Sequence, residues 1–212
     1  MSAIFLDRDG VIIRKAPEGE YVADWAQVEF LPGSLNAIAA IHRFGYKVIV
    51  VTNQRGVATG KIQLTKMMEI HTRMRQVVAA SGGNIMAVYY CPHDISEDCT
   101  CRKPNPGMLL QAAAEHNVEL HKCWMVGDAA TDIVAGKSVG CKTALIAHSE
   151  GLLQCKENPD IWAENLAAAV ERILSDERGM DKPQMNEIHR NGPASHQFLV
   201  KEKAKVTRAK PD

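Results

Sequence analysis

The sequence predicts an α/β fold, a doubly wound, mostly parallel sheet. Three observations carry that expectation. Short apolar runs alternate with amphipathic stretches along most of the chain. One run, Lys47–Thr52 (KVIVVT), is so rich in β-branched residues that it suits a strand buried on both faces. Gly45 and Gly82-Gly83 fall where helical patterns stop, as glycines that cap helix C-termini do.

Taken in order, Ala3–Leu6 reads as the first strand and Ser34–Phe44 as the first helix, ended by Gly45. Lys47–Thr52 supplies a central strand and Thr65–Ser81 the second helix, ended by Gly82-Gly83. Three further strands are expected at Ile85–Tyr90, Cys123–Gly127 and Thr143–Ile146. Helical patterns at Gly107–Asn117 and Thr131–Val139 lie between them, and Ala163–Leu174 gives the last helix. A chain of 212 residues holds one domain with a sizeable core rather than two large ones, and that domain is expected over residues 1–175. From Asp176 the pattern dissolves. Gly179, Pro183, Gly192 and Pro193 interrupt it, and Lys201–Lys210 carries five basic residues against one acid, so residues 176–212 read as a partly disordered tail.

The formal net charge is zero, which gives no global attraction to nucleic acid or to a membrane surface. The N-terminal apolar run is too short for a signal-peptide core, and no stretch reaches the length of a membrane span. The expectation is a cytoplasmic monomer whose partner is a small molecule.

Two carboxylates follow the first strand directly, in Asp7-Arg8-Asp9-Gly10-Val11. At i and i+2 they leave an extended segment on the same side, and Gly10 then frees the backbone to turn. Open parallel sheets build their sites at the carboxyl ends of strands, where this pair falls. Alone, D-x-D-G marks a solvated strand end about as readily as a site, and the rest of the chain decides between them.

Asp7-x-Asp9-Gly10-Val11 resembles the first motif of the haloacid dehalogenase phosphatases. Thr52, followed by Asn53, resembles the second, Lys103 in Arg102-Lys103-Pro104 the third, and Gly127-Asp128-x-x-x-Asp132 the fourth. All four stand in family order and together span residues 3 to about 147. The resemblance implies a Mg²⁺-dependent phosphomonoesterase. In it, Asp7, the main-chain carbonyl of Asp9 and Asp128 hold the metal, and Asp7 attacks phosphorus to form an aspartyl-phosphate. Asp9 serves as acid and then base, and Thr52 and Lys103 bind the non-bridging oxygens. Asp132 orients Lys103 or a metal-bound water, although an acid in the first turn of a helix also has a plain electrostatic reason to be there. Asn53, Arg55 and Arg102 join the expected substrate contacts. An acid at position 9 favours phosphoryl transfer over dehalogenation, since a halide leaves unprotonated. The gap between the first two motifs holds a loop and one helix, so no large cap domain is expected.

Cys91-Pro92-His93 and Cys99-Thr100-Cys101 bring three thiols and an imidazole within eleven residues, a donor set suited to a closed, structural zinc site. The C-P-H…C-x-C-R-K-P arrangement resembles the zinc loop of two branches of the superfamily, the heptose bisphosphate and the histidinol-phosphate phosphatases. Cys123 and Cys141 flank strands and read as buried apolar residues; Cys155 has no partner nearby in sequence. His42, His71, His116, His121 and His148 are isolated and read as surface or satisfied core. Arg102–Met108 (RKPNPGM), Phe30-Leu31-Pro32-Gly33 and Val51-Thr52-Asn53-Gln54 look like the heptose branch. One segment departs from it: Arg55-Gly56-Val57-Ala58-Thr59-Gly60 stands where that branch typically has Ser-Gly-Ile-Ala-Arg-Gly. The expected substrate is therefore the 7-phosphate of D-glycero-D-manno-heptose 1,7-bisphosphate. Histidinol phosphate is the alternative, and a catalytically idle, zinc-stabilised binding module is the alternative of another class.

Overall fold

The computed structural model describes residues 1–147 and 158–177. Its strands are β1 (Ala3–Leu6), β2 (Lys47–Asn53), β3 (Ile85–Cys91), β4 (Trp124–Gly127), β5 (Lys142–Ile146) and β6 (Ile161–Ala163). Its helices are α1 (Ser34–Arg43), α2 (Leu64–Ala80), α3 (Gly107–His116), α4 (Ala130–Ser138) and α5 (Leu166–Glu177). The strands pair in the order β3-β2-β1-β4-β5-β6, and every pair is parallel.

Period-two alternation along the central strands divides the core in two. Ile4, Leu6, Val48, Val50, Trp124 and Val126 turn to one face, where α1, α2 and α5 cover them through residues such as Ile38, Ile70 and Ile173. Ala3, Phe5, Ile49, Val51 and Met125 turn to the other face, against Met108, Leu109 and Ala112 of α3 and Ala135 of α4. Each fully buried Ile, Leu, Val or Phe contributes about 1.5–3 kcal/mol, so the middle of the sheet is also its most strongly held part. The chain winds outward from β1 to β3 and then from β4 to β6. The strand order thus reverses between β1 and β4, and a crevice opens at the carboxyl ends of these two strands.

The five expected strands and five expected helices are present, with ends displaced by a few residues. The last segment differs more. Residues 161–163 form β6, with the Ala147 N–H donating to the Ala163 carbonyl at 3.0 Å, and α5 begins only at Leu166. Asn165 is the reason: its side-chain Oδ1 accepts from the Ala168 N–H at 2.9 Å and starts the helix there. Asp160 ties β6 to β5 by accepting from both N–H and Oγ1 of Thr143, at 2.7 and 2.8 Å. Helix α5 continues to Glu177, past the expected domain end at 175. The rest of the expected tail lies outside the described residues, as do His148 and Cys155. Among the described residues, the segment between β1 and β2 holds a loop with one short turn of helix at Trp25–Gln27 and then α1, with no cap domain, and no helix is long and apolar enough to cross a membrane.

Candidate active site

Asp7 is the first residue past β1, and its N–H donates to the Val126 carbonyl of β4 at 2.9 Å. That bond fixes it at the mouth of the β1–β4 crevice. Gly10 then turns the chain with φ +86°, and the Asp128 carboxylate packs where a Cβ at position 10 would lie. Only glycine meets both requirements.

The carboxylates of Asp7, Asp128 and Asp132 lie within 4.8 Å of one another. The buried Lys103 is inserted between two of them. Its Nζ stands 2.8 Å from Asp7 Oδ1 and 2.7 Å from Asp132 Oδ1, and donates to the Val51 carbonyl at 2.7 Å. Burial alone pulls the Lys103 ammonium down, but Asp132 and Asp7 outweigh it and the net shift is upward. Burial raises Asp132 to about 6, with Lys103 opposing and Asp7 adding. Burial raises Asp128 as well, Asp7 adding to the effect, while the exposed Lys15 opposes it with Nζ 2.9 Å from Asp128 Oδ2. Desolvated, mutually repelling carboxylates at a hydrophilic mouth are the donor set a hard divalent cation takes. Asp7, Asp9, Lys15, Thr52, Lys103 and Asp128 line a cavity of about 230 Å³ here.

Asp132 reaches Lys103 because Gly127 lacks a side chain. A Cβ at 127 would run into Cβ and the carboxyl group of Asp132. Gly127→Ala is therefore expected to cost roughly 1–3 kcal/mol, as overpacking in a rigid site does, and to displace Asp132. Urea unfolding of the variant measures it, and an unchanged midpoint would show that the close approach is not required.

Asp9 shares the cavity lining but stands outside the carboxylate cluster. Its two oxygens take Nε and Nη2 of Arg8 at 3.0 Å each, and Oδ2 also accepts from Gln54 Nε2 at 3.0 Å. Gln54 Nε2 donates further to Thr52 Oγ1 at 2.8 Å, and Nη1 of Arg8 lies 3.1 Å from Nε2 of the buried His71. Arg8, Gln54 and His71 are partners that the sequence reading did not single out. The available signal was Arg8 itself, a cation in a segment that had to be buried and therefore had to be paired.

The Cys/His loop joins β3 to α3. Sγ of Cys91 lies 3.5 Å from Nδ1 of His93 and 3.5 Å from Sγ of Cys99. Cys101 Sγ lies 3.2 Å from His93 Nδ1 and 3.5 Å from Cys99. A tetrahedral zinc with Zn–S near 2.3 Å sets sulfur–sulfur edges of roughly 3.8 Å, so the four donors fit one. None of the three thiols is in a disulfide. Burial, then crowding by Cys91 and Cys99, pushes the Cys101 thiol up to about 12. Burial also opposes ionisation of Cys99, but backbone N–H groups and the neighbouring thiols bring it down to about 7.

This loop is fastened to the active site. The Asn53 carboxamide grips both the N–H and the carbonyl of Lys103, at 3.0 Å each, and Asn105 Nδ2 donates to the Cys99 carbonyl at 2.8 Å. Asn53, expected among the substrate contacts, lines both the catalytic cavity and the one beside it, and it holds Lys103 as well. Arg55, expected beside the substrate, donates its Nε to Asp94 Oδ1 at 2.6 Å and so braces the same loop, while also lining a second cavity of about 490 Å³ next to Asp9. Arg102 lines the catalytic cavity, and its buried Nη1 has no hydrogen-bond partner among the described residues.

Comparison with known proteins gives a consistent result. The family model described as HAD-hyrolase-like matches residues 100–169. D-glycero-beta-D-manno-heptose-1,7-bisphosphate 7-phosphatase of Pseudomonas aeruginosa is 38% identical over 176 residues, covering 82% of this chain and 98% of that protein. The D-glycero-D-manno-heptose-1,7-bisphosphate 7-phosphatase of Thermosynechococcus vestitus is 36% identical over 82% of this chain and 95% of its own length. Among solved structures, the D,D-heptose 1,7-bisphosphate phosphatase of B. bronchiseptica, complexed with magnesium and phosphate, superposes with a TM-score of 0.77. It is 34% identical, covering 83% of this chain and 99% of that one. The ordered motifs, the parallel sheet and these relatives agree that the chain is a phosphatase, and that it belongs to the haloacid dehalogenase superfamily alongside the heptose bisphosphate phosphatases.

Proposed function

We propose that the enzyme removes the 7-phosphate of D-glycero-D-manno-heptose 1,7-bisphosphate through an aspartyl-phosphate on Asp7. Asp7, Asp128 and the main-chain carbonyl of Asp9 would hold Mg²⁺, and Cys91, His93, Cys99 and Cys101 would hold a structural Zn²⁺. When bound, magnesium offsets the negative charge that otherwise keeps a carboxylate from a phosphate dianion. The remaining chemistry belongs to the chain. Lys103 and the Thr52 hydroxyl face the non-bridging oxygens, Lys103 with its charge kept by Asp132. Asp7 Oδ attacks phosphorus as the P–O bond to the sugar breaks, and Asp9 passes a proton to the leaving oxygen. Asp9 then takes a proton from the water that hydrolyses the acyl-phosphate. A cytoplasmic setting agrees with three thiols arranged as ligands rather than bridged.

The observation that carries the substrate is Arg102. A buried guanidinium nitrogen without an acceptor, at the edge of the catalytic cavity, suits the second phosphate of a bisphosphate. The relatives bearing the heptose bisphosphate name support the same reading. Of the zinc-loop acids, Asp94 is paired with Arg55 and Glu97 accepts from the Asp94 N–H at 2.6 Å, which leaves the exposed Asp98 as the one of the three open to an amine. Glu18 and Glu20 do line the larger cavity, and they keep histidinol phosphate as the second reading.

Comparing kcat/KM for the two substrates decides. The bisphosphate is expected to win by at least about tenfold, roughly 1.4 kcal/mol of transition-state discrimination. Arg102→Ala is expected to remove most of that margin. Histidinol phosphate winning in the wild-type enzyme would transfer the assignment to it.

A further inference from the structure

We propose that His71 is a positioning residue for the acid–base step, acting on Asp9 through the buried guanidinium of Arg8. The inference rests on the acid–base role given to Asp9 above. The starting point is a charge with no access to water. Arg8 is 1% exposed, so its N–H groups need acceptors inside the protein. Nε and Nη2 form a fork onto the Asp9 carboxylate, Nη2 also reaches Gln54 Oε1 at 3.1 Å, and Nη1 points at His71 Nε2.

Arginine only donates. His71 Nε2 must therefore present its lone pair, which makes the ring neutral with its proton on Nδ1. The surroundings favour that form: burial, then the Arg8 charge, pulls the imidazole down to about 3. His71 is thus fixed in both charge and tautomer by one neighbour 63 residues away in sequence.

The fork sets the plane of the Asp9 carboxylate, but a fork is only as steady as its far end. Nη1 is that end, and His71 anchors it from α2, whose buried face is locked by Met67, Ile70 and Met74. Gln54 steadies the near side from the loop after β2. Held this way, the Asp9 side chain stays 20% exposed and borders both the catalytic cavity and the larger one beside it. With the phosphate in the first cavity and the rest of the substrate extending into the larger one, as the proposed function requires, the bridging oxygen would lie beside Asp9. Proton transfer to it demands placement to within about 0.5 Å, and small errors in such placement cost rate rather than binding.

The test exploits leaving groups. An alkoxide leaves poorly without a proton, whereas p-nitrophenolate leaves without one. In His71→Leu, kcat on glycerol phosphate is expected to fall at least about tenfold, with KM and half-saturating Mg²⁺ changed by less than about twofold. The pre-steady-state rate of p-nitrophenolate release from p-nitrophenyl phosphate is expected to stay within about twofold of wild type. His71→Gln, which keeps an acceptor where Nε2 lies, is expected to recover most of the loss. Equal losses on both esters would mean a merely structural role and overturn the proposal. Full activity in His71→Leu while Asp9→Asn is inactive would overturn it while leaving the Asp9 reading intact. Asp9→Asn retaining glycerol phosphate turnover would instead remove the reading underneath. Should His71→Leu not fold, ¹⁵N NMR of the wild-type imidazole decides: a proton on Nδ1 supports the proposal, and a proton on Nε2 rules it out.

Discussion

Asp7→Asn is expected to lose phosphatase activity by on the order of 10⁴-fold or more while keeping its fold. An amide neither attacks phosphorus nor forms an acyl-phosphate, and it offers a hard cation one weak oxygen in place of a carboxylate. The fold should survive because Asp7 adds strain as well as contacts. It crowds Asp128 and Asp132 within 4.8 Å and raises the proton affinity of both. Neutralising it removes that repulsion, and Lys103 keeps Asp132 as a partner. The melting temperature should accordingly be unchanged or higher, the usual exchange between stability and activity at a site built from like charges. Phosphate release and thermal unfolding on the same preparation check both halves. Residual activity above a few per cent would exclude the covalent route through Asp7.

The parts of this site that were legible in the sequence are those whose residue type is dictated by chemistry. Asp7, Thr52, Lys103 and Asp128 stand at or just beyond strand ends or on the loop between β3 and α3, and the spacing of Gly127 to Asp132 is short enough to read directly. What could not be read is the supporting network. Arg8 meets His71 and Gln54 across 63 and 46 residues, and Arg55 meets Asp94 across 39. Such pairs are set by how α2 and the Cys/His loop pack onto the sheet, and no local pattern encodes them. Arg55 illustrates the limit. It was visible as a departure from the heptose pattern, and its charge suggested a phosphate, but its partner lies in another loop. In the fold, β1 to β5 were legible as apolar runs, whereas β6 is three residues long and runs into alanines that favour helix equally well. The cap at Asn165 was the missed signal.

Removal of zinc is the second large effect, and it should appear in stability and in catalysis together. Protein purified without added metal is expected to contain close to one zinc per chain, and Cys99→Ser to contain far less, because a serine hydroxyl stays protonated and is a poor ligand for zinc. The sheet has its own core on both faces, so the variant should remain folded, unlike a small domain whose metal is its core. The loop from Pro92 to Pro106 leans on that core through Cys99 and Cys101. The rest of its ordering is expected to depend on the four Cys/His donors, on Asn53 and Asn105, and on the Arg55–Asp94 pair. A loss of roughly 3 kcal/mol there corresponds to a fall of about 6–12 °C in a domain of this size. Activity should fall with it, because the segment that loosens carries Lys103, whose ammonium sits 2.8 Å from the Asp7 carboxylate. Cys141→Ala, at a buried cysteine packed in the core away from the cluster, serves as the control and should keep its zinc. Zinc-free wild-type protein that melts at the same temperature and turns over at the same rate would show that the four donors need no metal.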